Sequence, residues 1–169
     1  MLPRLQALFL ALGIFALDRS SKWLVETRLG PYDSRVVLPG YFNIVRSENP
    51  GVAFGILAEG STHTRTLLLI AVSLAVLGVL AAMLWKAERQ DRLTNLALSL
   101  ILGGAAGNVF DRVRSGVVTD FLDFHLGVYH WYIFNIADSA ICVGACLMIL
   151  TMLLTGNARK TESAGEAQV

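Results

Sequence analysis

At 169 residues the chain is the size of one functional unit, and with 54% hydrophobic residues and a mean hydropathy of +0.57 it is too apolar for an ordinary soluble domain. Fourteen Lys and Arg against 13 Asp and Glu leave a formal charge of +1, which excludes the strong single-sign field that nucleic-acid binding requires. Cys142 and Cys146 lie one helical turn apart in an apolar run, where small thiols pack and a structural disulfide would add little.

The first predicted element runs apolar from Leu5 to Leu17 and passes into Asp18-Arg19-Ser20-Ser21-Lys22. A removable signal ends in a small-residue cleavage site, so this segment reads as a retained helix. Crossing a hydrocarbon core takes about 20 mainly apolar residues, which extends the span over roughly 5–25. Asp18 and Lys22 then fall near its end at i,i+4 spacing, able to pair. In the long connection 26–65, Val36 to Leu38 and Tyr41 to Val45, punctuated by Pro39-Gly40, predict a small extramembrane sheet. Val52 to Leu57 is apolar but far too short to span, and suits an interfacial segment. Further spans follow at 66–85, 93–110 and 133–154, the last two separated by the connection 111–132.

Lipid offers no partner for free backbone groups, so each span is predicted as a helix. The expected fold is thus an α-helical integral membrane protein of one domain: four transmembrane helices, a small extramembrane β-sheet and a short interfacial segment. The polar tail from about residue 157 is expected to be disordered. Lys86, Arg89 and Arg92 crowd the short turn between the second and third spans, with Arg4, Arg159 and Lys160 on the same side. The positive-inside rule then puts both termini in the cytoplasm, although Arg28, Arg35, Arg46, Arg65, Arg112 and Arg114 lie across the membrane in longer segments.

Alternation of the spans brings the end of the first and third helices to the same side as the start of the second and fourth. That side collects Asp18, Lys22, Asn108, Asp111, Arg112, Asn135 and Asp138, with both long connections. An ionisable group inside a span costs roughly 2.5 to 3.5 kcal/mol and usually faces a bundle interior or a wet cavity. Asp138 is the clearest case, one to two turns into the predicted fourth helix with Asn135 three residues before it. Gly103 and Gly107 make a small-xxx-small surface for close helix approach, and Asn108 and Asp111 share a face beyond them. Val117 to Phe124 suits an extended or interfacial segment and supplies Asp120 and Asp123. No serine or cysteine stands with a plausible histidine base, and His63, His125 and His130 are not spaced as metal ligands. Carboxylates are what the site offers, and two held close share a proton and act as general base and general acid together.

These residues carry a resemblance. Asp18 with Lys22, the run Asn49-Pro50-Gly51-Val52-Ala53-Phe54, the run Gly103 to Arg112, Val118 to Phe121, and Phe134 to Ser139 resemble, in order and spacing, the lipoprotein signal peptidases, or signal peptidase II, of bacterial inner membranes. The likeness covers most of the chain, from about Asp18 to Gly144, and departs at Pro50, where threonine is common, and at Thr119, where valine is common. It implies an aspartic endopeptidase that removes the signal peptide just before a diacylglyceryl-modified cysteine, near the periplasmic or outer face. Asp120 and Asp138 would be its catalytic pair, with Asn49, Gly51, Asn108, Asp111, Arg112, Asn135, Ala137, Asp18 and Lys22 binding substrate or supporting the site. It also implies no metal or cofactor, lipid-modified prolipoproteins and membrane lipid as partners, a monomer, and sensitivity to the cyclic peptide globomycin.

Plainer readings stand beside these. Asp18 with Lys22 is the pattern of a structural helix-end pair, Asp111-Arg112 that of a helix-end anchor, and Asp123 that of a solvated loop carboxylate. Trp23, Trp85 and Trp131 fit an aromatic belt at span ends. A proton-coupled transporter would spread its acidic groups through the membrane depth, whereas here they gather at one face; a mere scaffold leaves the buried carboxylates unexplained.

Overall fold

The computed structural model describes residues 2–51, 62–86 and 92–166. The chain runs α1 (Leu2–Arg28), β1 (Ser34–Leu38), β2 (Phe42–Asn49), α2 (Thr62–Lys86), α3 (Arg92–Ser115), β3 (Val118–Leu126), β4 (Tyr129–His130) and α4 (Ile136–Glu166). Three described helical segments are long and apolar enough to cross a membrane: His63–Lys86, Arg92–Ser115 and Ile136–Leu154. α1 is not among them, because Arg4, Asp18, Arg19 and Lys22 interrupt its apolar length. The interfacial segment expected at Val52 to Leu57, and Arg89 of the basic turn, fall outside the described residues.

α3 is the hub of the bundle, packing against α4, α1 and α2. Close approach needs a missing side chain: a Cβ at Gly103 would sit 2.5 Å from the Ala11 carbonyl oxygen of α1. At Gly107 it would meet the Asp18 carboxylate at 2.4 Å. The small-residue surface expected on α3 is therefore the seat of α1. α2 turns Leu67, Leu68, Val72, Leu74, Val76 and Val79 outward, as lipid-facing side chains should be. Cys142 and Cys146 are free and on an exposed face of α4.

The sheet has four strands in the order β1-β2-β3-β4, all antiparallel. The hairpin expected around Pro39-Gly40 is present, with Gly40 at φ +82° in the turn. The segment after the third span becomes its partner: Ser47 of β2 opposes Asp120 of β3, and Asn43 opposes Asp123. Arg46 ties this sheet to the bundle, its Nη1 donating to the carbonyls of Glu26 at 3.2 Å and Leu29 at 3.1 Å, where α1 ends.

Boundaries differ from the sequence reading: α1 runs Leu2–Arg28 rather than 5–25, and α2 starts at Thr62 rather than 66. α3 continues to Ser115, beyond the expected limit of 110, so Asp111 and Arg112 are helical. α4 starts at Ile136 rather than 133, because Phe134 is engaged with Leu122 in an antiparallel bridge. The tail expected to be disordered from about residue 157 continues as helix to Glu166; its Ala, Arg, Lys and Glu add one hydrogen bond each to a helix already nucleated.

Candidate active site

One asparagine joins the two aspartates. Asn135 stands just before α4 as its N-cap: its Oδ1 accepts from the Asp138 backbone N at 2.9 Å, and Asp138 Oδ2 accepts from the Asn135 backbone N at 3.3 Å. This reciprocal capping box starts the helix and turns the Asp138 carboxylate toward the helix N-terminus. Asp138 therefore lies in the first turn of α4, not one to two turns in. The Asn135 side chain also reaches across to β3, where its Nδ2 donates to Asp120 Oδ1 at 2.6 Å.

The backbone holds the same geometry from beneath. Phe121 N and Leu122 N both donate to the Phe134 carbonyl, at 3.0 and 2.8 Å, and Phe134 N returns a bond to Leu122 O at 3.2 Å. These bonds flank Asp120 on one side and Asn135 on the other. Position at the site is thus set by main chain before any side chain acts.

Each carboxylate has a further amide donor. Asn108 Nδ2, from α3, donates to Asp138 Oδ1 at 2.8 Å, and Asn49 Nδ2, from the end of β2, donates to Asp120 Oδ2 at 3.0 Å. Asn49 is itself steadied by Gly51, whose N donates to Asn49 Oδ1 at 2.8 Å with φ at +77°. Asp120 is only 3% exposed. Burial pushes its carboxyl up to about 6; the Asn49 donor opposes that rise, the negative charge of Asp138 adds to it, and Asn135 and Lys22 oppose it.

Behind the amides lies an ionic cluster centred on buried Asp18, Lys22 and Asp111. Lys22, fully buried, has Nζ 2.8 Å from Asp18 Oδ2, 2.7 Å from Asp111 Oδ2 and 3.0 Å from Asn108 Oδ1. Asp18 Oδ1 accepts from the Ala137 backbone N at 3.0 Å, and Asp111 Oδ1 is paired with Arg19. Arg112 Nη1 is 3.4 Å from the Asn108 carbonyl, and its guanidinium is within electrostatic reach of Asp138, Asp120 and Asp111. Among the described residues, no group of three or more His, Cys, Asp and Glu could hold a metal ion.

Asp18, Lys22, Asn49, Asn108, Asp111, Asp120, Asn135 and Asp138 thus join one network with Arg112 beside it, and Gly51 and Ala137 contribute backbone N–H groups. Asp123 departs from its expected solvated state: it is 3% exposed and accepts from Asn43 Nδ2 at 2.9 Å and shares 2.8 Å with His130 Nδ1. Although burial works against ionisation, the hydrogen bonds from His130 and Asn43 hold its carboxyl below the usual carboxylate range. It alternates to the opposite sheet face from Asp120, three positions away. Arg19 and Glu26 escaped the sequence reading. Glu26 accepts from Thr119 Oγ1 at 2.9 Å and pairs with Arg114 at 2.9 Å, fastening β3 to both helix ends. Arg19 carried a signal, being adjacent to Asp18, but its partner lies 92 residues away.

Comparison with known proteins bears on this geometry. A family model described as Signal peptidase (SPase) II matches residues 10–154. The lipoprotein signal peptidase of Solibacter usitatus is 55% identical over 150 residues, 89% of this chain and 92% of that protein. That of Photorhabdus laumondii is 43% identical over 152 residues, 89% of each. A solved bacterial membrane enzyme superposes with a TM-score of 0.78 at 31% identity, covering 88% of this chain and 92% of that one.

Proposed function

Since the chain belongs to the signal peptidase II family, and is thereby a membrane-embedded peptidase acting on prolipoprotein signal peptides, we propose that Asp120 and Asp138 are its catalytic pair. The observation that carries the reading is Asn135, which donates to Asp120 through its side chain and to Asp138 through its backbone, so that one residue holds both carboxylates. Two such groups cannot both ionise freely and share a proton between them. Burial raises the Asp120 carboxyl to about 6, which favours placing the proton there.

The chemistry then follows in balance. Asp138 takes a proton from water as the oxygen attacks the scissile carbonyl; Asp120 gives its proton to the amide nitrogen as the C–N bond breaks. Displacement of water by bound substrate desolvates Asp120 further and moves its proton affinity in the same direction. Asn49, Asn108 and Asn135 fix the carboxylates, Gly51 and Ala137 contribute backbone donors, and Asp18, Lys22, Asp111 and Arg112 support them from behind.

The substrate of this reading is a diacylglyceryl-modified prolipoprotein, cut just before the lipidated cysteine with its acyl chains left in the bilayer. In this arrangement α1 crosses as a fourth span, with its charges Asp18 and Lys22 turned into the bundle and away from lipid. The enzyme is a monomer of the bacterial inner membrane, both termini cytoplasmic and the site near the outer face, and globomycin inhibits it. Incubation of purified protein with the lipidated prolipoprotein and with its unlipidated form tests this. Cleavage confined to the lipidated form is expected; equal cleavage of both, or none, would sink it.

A further inference from the structure

Beside its two ion pairs, Lys22 makes a hydrogen bond that charge balance does not require. Its ammonium, with Arg19, already faces Asp18 and Asp111, two cations against two anions. The remaining N–H instead goes to Asn108 Oδ1 at 3.0 Å, the amide whose other end donates to Asp138. An ammonium has three donors and no lone pair, so the group facing it must be an acceptor.

This matters because a primary amide can turn over, exchanging its oxygen and nitrogen at almost no cost in shape. Turned over, Asn108 would set its NH₂ against the Lys22 ammonium and its oxygen against Asp138. Asn108 Oδ1 also accepts from Asn135 Nδ2 at 3.3 Å, and the same Asn135 Nδ2 donates to Asp120 at 2.6 Å. Asn135 is oriented on its own account, because its Oδ1 accepts from the Asp138 backbone N at 2.9 Å, so Asn108 is the amide left for Lys22 to orient.

We infer that Lys22 is a positioning residue for the catalytic pair: its buried ammonium locks the amide of Asn108 with its N–H group toward Asp138. The inference rests on the reading of those aspartates as catalytic. Its consequence appears when a carboxyl of the pair is protonated and becomes a donor. A free amide would turn to accept that proton in a hydrogen bond and divert it from the leaving nitrogen. With the amide oxygen already held by Lys22, the acidic proton has only the partner carboxylate and the substrate to face.

The test removes the donor-only character while keeping the net charge and hydrogen-bonding capacity. The double variant Lys22→Gln with Asp18→Asn is expected to keep KM within twofold and lose at least tenfold in kcat on a diacylglyceryl-modified prolipoprotein, general acid and base contributions being about 10²–10⁴-fold. In an Asn108→Ala background the same pair of changes is expected to alter kcat less than twofold, since Lys22 then has nothing to orient. Parent-like kcat in the double variant, or an undiminished tenfold loss in the Asn108→Ala background, overturns the inference. If the double variant does not fold, Asn108→Asp decides: it keeps an acceptor for Lys22 but loses the N–H toward Asp138. Tenfold loss in kcat at unchanged KM is expected, and parent-like turnover overturns the inference. Asp120→Asn run in parallel separates the two ideas, because turnover by that variant refutes the catalytic pair itself.

Discussion

Replacing Asp120 by asparagine removes a charge from a nearly closed site while keeping its shape, so its effects on turnover and on stability should oppose one another. The carboxyl rises from an ordinary 3.8 to about 6 on folding. About two pH units at about 1.4 kcal/mol each make about 3 kcal/mol, reduced to about 1–3 kcal/mol once local water and relaxation are allowed for. Between pH 3.8 and about 6 the folded chain holds a proton that the unfolded chain has released. The parent accordingly loses stability as pH rises through that window, and the loss is complete above it. The variant has no such group. It also presents one amide N–H to a place that supplies two donors, Asn49 and Asn135, at a cost on the order of 1–3 kcal/mol that does not vary with pH. The pH-dependent part can therefore be read alone: the stability of Asp120→Asn relative to the parent should improve by about 1–3 kcal/mol from pH 4 to pH 7. Unfolding of both proteins in detergent micelles, followed by tryptophan fluorescence across that range, measures it, with cleavage assayed on the same samples. A difference that stays flat or narrows with rising pH, or normal turnover by the variant, would refute the reasoning.

Gly51→Ala should lower activity about tenfold with little change in helix content by circular dichroism; φ of +77° strains an L-residue by about 1–2 kcal/mol and the loop that aims Asn49 must shift. Gly107→Ala should destabilise the protein by at least about 2 kcal/mol in a melting experiment, because its Cβ would lie 2.4 Å from an Asp18 oxygen that Lys22 also holds. Asp123→Asn should leave kcat within about twofold yet reduce stability by about 1–2 kcal/mol at neutral pH, as hydrogen bonds to a charged group do. Because its carboxyl lies below the usual range, that difference should persist above pH 3.8 and fade only in stronger acid.

The sequence exposed the site through chemistry that is costly where it stands. Asp138 in an apolar run, and Asn135 three residues before it, were legible because a carboxylate in a span demands a reason. The hairpin at Pro39-Gly40 was legible because its turn is local. What stayed hidden depends on contacts between distant segments. Asp123 resembled a solvated loop carboxylate until Asn43, 80 residues away, was brought opposite it across β2 and β3. The start of α4 was misplaced by three residues because Phe134 serves as a strand partner, which periodicity cannot reveal. Lys22 and Asp18 suggested a pair at a helix end from their spacing, but spacing alone cannot show that Asp111 and Asn108 complete a tripod on the ammonium.

The bridge between Leu122 and Phe134 closes the chain into a noose, with Asp120 and Asp138 outside its knot and residues 123–133 inside. Length and composition of the enclosed segment are thereby uncoupled from the spacing of Asp120 and Asp138. Insertions or grafts at the tip, around Gly127 and Val128, should reshape the surface there while Asp120 and Asp138 keep their separation. A designer has there a place to work that leaves the network around Asp120 and Asp138 untouched.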